Sequence, residues 1–424
     1  MILQLGLDAW SPLFDTAHLS TINTSTVMES LMRTIPFVSF LATTVLASAM
    51  GFSDDKAVQA PVVGTTHGVN LSAIRDFSYR VDWVNQQTAK DLKLATVTKD
   101  DLFAIDQYDQ LVCYDLDSGR WRWSTPVGNR IYRLLGISVN ETAQQVFVNA
   151  DGAVFAFESA TGNLPAQSAN PPKGSTDKAV QKLNWSANTP AVLEDTILLY
   201  GSRNGELVWH NCSIGFTSQT YAIANTMQAA PTVHDGIVVA TGGNGSVAAI
   251  NLKTARALWF IKLLDAVVSS PTIAYSTVYI AGTDQYLRAI DLYTGRPRWK
   301  YLTTSELTDS PVIIEDALYQ RIPDKGLACF SAFAPDITGE LRWTSETVNG
   351  NVITTTPGNR ILCWDTENRI LQEVNPNLGN VTSTMHLPMV RTLIVDAPLH
   401  GNIYLITDDD AIIKLIPRLS LTRN

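Results

Sequence analysis

Short apolar runs recur along most of the chain, each closed by a polar cluster rich in Gly, Asp and Asn. Runs of this length, alternating apolar with small or polar residues, predict antiparallel β-strands joined by tight turns. The clearest stretch reads Ser270-Pro271-Thr272-Ile273, then Val278-Tyr279-Ile280-Ala281, then Leu287-Arg288-Ala289-Ile290-Asp291, then Thr294-Gly295 and Trp299. It predicts four strands: an entry strand, a second, a third with the pattern apolar-x-Ala-apolar-Asp, and an outer strand carrying Trp. The Thr-Gly after Asp is a turn in which Gly takes positive φ. No window shows sustained helical periodicity with caps.

The pattern repeats. Third-strand copies are read at Leu111 to Asp115, Val154 to Glu158, Leu207 to Asn211 (a weaker copy), Val247 to Asn251, Leu327 to Phe330 and Ile361 to Asp365. Their continuations run to Trp123, Leu164, Trp259, Trp343 and Ile370-Leu371; Trp259, Trp299 and Trp343 are 40 and 44 residues apart. A period of about 40–45 residues with four strands is a propeller blade, and one blade cannot bury both its faces alone. Seven internal copies result. The eighth is split: Asn402 to Ile406 and Ile412 to Leu415 lack a following Trp, while Tyr79 to Trp83 has a Trp and no preceding third strand. The expected fold is all-β, an eight-bladed β-propeller of four-stranded antiparallel blades, its ring closed by the N-terminal strand with Trp83 in the last blade. Residues 164–189 and 371–391, rich in Asn, Pro and Ser, are read as loops between blades.

The first 50 residues differ. Arg33 precedes an apolar, small-residue run, Ile35 to Met50, containing Ala47-Ser48-Ala49. This has the positive, apolar and small-residue parts of a secretory signal peptide. Met28 or Met32 suits the start of that segment better than Met1. We therefore expect 1–50 to be a signal-peptide region with a non-native upstream extension, 51–75 a linker, and 76–424 a single propeller domain. Export places the chain in the periplasm or outside the cell. A formal charge of −9, a pI near 5.2 and no basic run argue against a nucleic-acid surface. No stable membrane span is expected after cleavage, and the propeller is expected to be a monomer.

The segment Ala289-Ile290-Asp291-Leu292-Tyr293-Thr294-Gly295-Arg296-Pro297-Arg298-Trp299 resembles the tryptophan-docking motif of pyrroloquinoline-quinone (PQQ) propellers, over roughly residues 76–416. The resemblance implies that Trp83, Trp123, Trp259, Trp299 and Trp343 pack between neighbouring blades. One branch of that family, the quinoprotein dehydrogenases, holds PQQ and Ca²⁺ on the propeller axis; another, the BamB-like branch, is made of cofactor-free scaffolds. The chain is closer to the second in length and in having few insertions, although it has no lipid-attachment Cys.

Candidate chemistry is sparse. No two Cys are adjacent, as a quinoprotein alcohol dehydrogenase would require, and there is no C-x-x-C-H haem motif. Cys113, Cys329 and Cys363 are read in the small Ala position of the third strand, as packing residues rather than disulfide partners. His18, His67, His210, His234, His386 and His400 show no metal-ligand spacing. His210 is read as structural. Asp408-Asp409-Asp410 is read as a hairpin turn rather than a Ca²⁺ loop, and Gly242-Gly243-Asn244-Gly245 as a hairpin turn rather than a phosphate cradle. We thus expect no catalytic, cofactor-binding or metal residues, and a non-enzymatic scaffold binding protein or glycan partners in the cell envelope, like BamB. The alternative is a PQQ- and Ca²⁺-dependent oxidoreductase. Mass spectrometry of the exported protein should find its N-terminus at Met50; an N-terminus at or before Met32 would refute cleavage.

Overall fold

The computed structural model describes residues 65–86, 89–128, 131–165, 179–334 and 337–418. The proposed signal segment lies outside them. The described residues form eight four-stranded antiparallel sheets, a two-stranded hairpin and one short helix. Blades 1 to 7 occupy residues 94–126, 134–182, 192–222, 232–262, 272–302, 312–345 and 351–386, with strands in sequence order inside each. Blade 8 takes Val390–Val395, Ile403–Thr407 and Ile412–Pro417 from the C-terminal end and Tyr79–Asn85 as its outer strand. Tyr79 pairs with Pro417 and Trp83 with Lys414. The ring is closed by the N-terminal strand, as the split repeat predicts, so no blade is left incomplete at the seam.

The third and outer strands share one irregularity. A register shift falls directly after the Ala position in blades 1, 3, 4, 5, 6 and 7, for instance between Ala289 and Ile290. Its cause lies in the turn that follows. Asp291 Oδ1 accepts from the Tyr293 and Thr294 amides and from the Thr294 hydroxyl. Gly295 closes the turn at φ +70, and its amide donates to the Asp291 carbonyl at 2.9 Å. These bonds draw the chain inward, and the outer strand starts one residue late.

The apolar core lies between blades. Trp259 of blade 4 packs with Val278, Ile280, Ile290 and Leu292 of blade 5, and Trp299 of blade 5 with Leu318 and Phe330 of blade 6. Around the axis, first strands meet first strands. Hydroxyls tie them: Thr232 donates to the Pro271 carbonyl at 2.6 Å, Thr272 to Pro311 at 2.5 Å and Thr354 to Ala397 at 2.9 Å.

Three local expectations are corrected. Ile361–Asp365 is the second strand of blade 7, not the third; the third is Ile370–Val374, and Cys363 leaves the Ala position to Glu373. The stretch 371–391 is accordingly no loop, since it holds most of that strand and the outer strand Val381–His386. Leu164 does not start an outer strand. It is exposed, and blade 2 is completed by Val180–Lys182. Ahead of the closing strand, Thr65–Thr66 and Val69–Asn70 form a hairpin and Leu71–Asp76 a helix capped by the Asn70 side chain.

Each docked indole leaves no space beside the Gly of the next turn. A Cβ on Gly295 would lie 2.7 Å from Trp259, besides its left-handed backbone. Gly295→Ala should therefore lower stability by about 2–4 kcal/mol in urea unfolding. The equivalent residue of blade 4 is Ala255, already at φ +48. Ala255→Gly should shift stability by less than about 1 kcal/mol, upwards.

Candidate functional site

The five predicted docking tryptophans lie at five separate junctions and do not converge on one site. In four of them the indole N–H donates to the backbone carbonyl just past the third strand of the next blade. Trp83 reaches Leu116 at 2.9 Å, Trp123 Ser159 at 3.0 Å, Trp259 Leu292 at 2.7 Å and Trp343 Pro376 at 2.8 Å. Trp299 is buried in the same way, but its N–H has no hydrogen-bond partner. The Tyr279 hydroxyl takes the equivalent carbonyl, of Ala332, at 3.0 Å.

Three junctions lack a Trp in the outer strand, and each is filled differently. Between blades 3 and 4 the indole moves one strand inward. Trp209 stands in the Ala position, facing Gln219 in the outer strand, and donates to the Leu252 carbonyl at 2.9 Å. With no outer indole against it, the next turn tolerates Ala255 where other blades have Gly. Between blades 2 and 3 the donor is a side-chain amide: Gln181 Nε2 donates to the Cys212 carbonyl at 2.8 Å, and Gln181 Oε1 lies 2.7 Å from His210 Nε2. Gln181 and His210 are both fully buried. Between blades 7 and 8, the helix and the first residues of the closing strand fill the gap. Ile74, Phe77 and Tyr79 pack with Leu371, Met385 and Leu415, and the Tyr79 hydroxyl donates to the Gly401 carbonyl at 2.8 Å. Gln181, Trp209 and Tyr279 were not singled out in the sequence. A Trp in the Ala position, opposite a Gln and followed by Ala255, was the one available signal.

The cysteines are buried and free. Cys113 and Cys329 occupy the Ala position, Cys363 a second strand, and Cys212 the residue after a third strand. Burial raises the pKa of all four thiols and holds them protonated. The turn 408–410 works as a clasp. Asp408 pairs with Arg369 of blade 7; Asp409 lies 2.5 Å from His67 Nδ1 of the N-terminal hairpin; Asp410 accepts from the Asp91 amide at 2.7 Å. The Thr407 hydroxyl and His67 hold the Asp409 carboxyl below its ordinary value. Among the described residues no three His, Cys, Asp or Glu side chains converge as metal ligands.

Concave surface appears on the rim formed by the turns between first and second strands. A cleft of about 260 Å³ opens among blades 6, 7 and 8. Glu315, Asp316, Asn359 and His400 line it, with Tyr319 and Ile361 among its apolar residues. Arg342 closes one side, donating to Asp316 at 2.6 Å, and this bond lowers the Asp316 pKa. Beside the cleft, Tyr275 and Phe333 form a ring pair 4.8 Å apart, each about half exposed (51% and 52%). The Tyr275 hydroxyl donates to the Glu315 carbonyl at 2.9 Å. Tyr275 and Ser276 both have positive φ, 51° and 58°, an uncommon conformation for a bulky residue. The backbone thus holds an aromatic face towards solvent at a conformational cost.

A family model described as outer membrane protein assembly factor BamB matches residues 78–192 and 193–346. The chain belongs to this family. The crystal structure of BamB from Moraxella catarrhalis superposes with a TM-score of 0.61 at 19% identity, covering 79% of this chain and 98% of that one. The computationally designed Ika8 protein superposes with a TM-score of 0.59 at 14% identity, covering 77% and 96%. At these identities the likeness is one of fold. No curated protein sequence matches the chain. The BamB-family blade is thus present here with its indole contact in four versions: in place, moved inward, replaced by an amide, and replaced by a tyrosine hydroxyl.

If the Leu252 carbonyl needs an indole, its strand of origin is secondary. Trp209→Ala should cost about 3–5 kcal/mol. Adding Gln219→Trp and Ala255→Gly, which rebuild the junction of blades 4 and 5 (Ala249, Trp259 and Gly295), should recover at least half of the loss in urea unfolding. No recovery would show that the two arrangements are not equivalent.

Proposed function

We propose that the chain is a non-catalytic scaffold of the cell envelope, exported by its N-terminal segment and binding a protein partner on the rim that carries the 6–7–8 cleft. The observation that carries this reading is the BamB family match across 78–346, whose description names a factor in outer membrane protein assembly. The rim supports it locally. Exposed aromatic rings beside a polar cleft are the composition of a protein-recognition surface, since rings supply contact area at little entropy cost and the polar groups set orientation. The buried ionisable groups have structural work at the junctions: His210 holds Gln181, and the Lys414 ammonium donates to the Leu116 carbonyl at 2.8 Å. Among the described residues no helix is long and apolar enough to cross a membrane. As an envelope scaffold the chain would act as a monomer without cofactor.

Photo-crosslinking residues placed at Phe333 and Leu399 on this rim, and at Tyr108 on the opposite one, test the reading. Adducts with one envelope protein should form from the first two positions, not from Tyr108, and Tyr275→Ala should reduce them several-fold. Adducts from Tyr108 alone would move the surface to the other rim. A quinone absorbance band on adding PQQ and Ca²⁺, with dye reduction by alcohols or sugars, would overturn the non-catalytic assignment.

A further inference from the structure

We propose that the junction between blades 2 and 3 is an acid-operated seam, which opens on protonation of His210 before any indole-closed junction does. The geometry of the Gln181–His210 contact determines the proton positions. Gln181 must present its NH₂ to the Cys212 carbonyl, so its oxygen is the atom facing His210 and can only accept. His210 Nε2 therefore carries the hydrogen, and Nδ1 is a bare lone pair. That Nδ1 is buried and has no hydrogen-bond partner. A second proton can go only there, creating a buried cation whose new N–H faces no acceptor.

Among the described residues no carboxylate pairs with His210. The blade 3 face carrying His210 also carries Leu198, Tyr200 and Val208; Val154 and Ala156 of blade 2 pack against that face. Its ionisable groups are Tyr200 and Cys212, both kept neutral by burial, and Glu206 at the far end of the strand, whose carboxylate accepts from the Ser202 hydroxyl. In blade 2, the strand Val180–Lys182 adds only Lys182, which is exposed, and the third strand adds Glu158, whose carboxylate accepts from the Thr161 hydroxyl of its own turn. Burial alone holds the imidazole from 6.5 down to about 4. The open seam, with His210 in water, binds the proton more readily than the closed one. The closed form is therefore fully favoured above pH 6.5 and loses its advantage as pH falls from there towards 4. The other junctions offer no such site, since an indole or a tyrosine hydroxyl does not protonate in this range.

Amide hydrogen exchange between pH 7 and 4.5, corrected for intrinsic rates, tests the seam. The amides of Ala156, bonded to the Ala179 carbonyl, and of Cys212, bonded to Thr196, report on it. The amide of Leu292, bonded to Ser276, reports on the indole-closed junction of blades 4 and 5. Opening at Ala156 and Cys212 should rise by up to about tenfold per pH unit below 6.5 while Leu292 stays level. His210→Gln, which can still donate to Gln181 but does not titrate, should abolish the rise. Equal protection at every junction down to pH 4.5, or an undiminished rise in His210→Gln, would overturn the proposal. If that variant does not fold, the wild-type His210 ring resonance decides: a midpoint below 5 supports the seam, and one at or above 6.5 refutes it.

Discussion

The structure turns on a single backbone carbonyl per blade. It lies just past the third strand, where the Asp-capped turn begins, and faces the preceding blade. Buried without a partner it would cost about 1–3 kcal/mol, and in a ring that cost recurs at every junction. Seven such carbonyls are met: four by an outer-strand indole, one by the transposed indole of Trp209, one by the Gln181 amide and one by the Tyr279 hydroxyl. What is kept from junction to junction is a donor at that place. The residue that brings it is free to vary. At the eighth junction, between blades 7 and 8, the described part of the third strand of blade 8 runs to Pro417, and apolar packing from Ile74 and Phe77 fills the gap.

The same constraint explains what could be read from sequence. A Trp in the outer strand comes with a Gly in the next turn and, in the clearest copies, an Asp that caps it, so this pattern repeats visibly at a blade's length. That was enough to count the blades and to assign Trp83 to the last one across a separation of more than 300 residues. Where the donor is not an outer Trp, the signature dissolves. Blade 7 shows how. Its true third strand carries Glu373 in the small position, with the Thr382 hydroxyl bonded to that carboxylate at 2.7 Å, and its outer strand has Ser383 where others have Trp. The second strand Ile361–Asp365 ends on an Asp that caps its turn, with Oδ1 accepting from the Glu367 and Asn368 amides. It imitated the missing motif, and the frame slipped by one strand.

The rim cleft was not legible, for a different reason. Its residues come from three blades, and its turn residues change in type from one blade to the next. Glu315, Asn359 and His400 all sit at positive φ at the tips of first hairpins, where sequence shows only short polar punctuation. Only the ring brings them together. The sequence did carry Tyr275 in a turn, where blades 3 and 4 have Asp195 and Asp235, but its meaning depends on Phe333 of the next blade.

The division of labour between interior and rim follows from this. Several buried polar groups of the propeller, Gln181, His210, Thr354 and Lys414 among them, hold blades to one another by side-chain hydrogen bonds. A group so engaged has little freedom to exchange protons or ligands without loosening a junction, and His210 is the case where that coupling is most direct. In the scaffold reading proposed above, recognition would fall to residues on which no junction depends. On the described surface those are the turn tips: their backbone strain is local, and their side chains, Tyr275, Phe333 and Glu315 among them, can change without opening the ring.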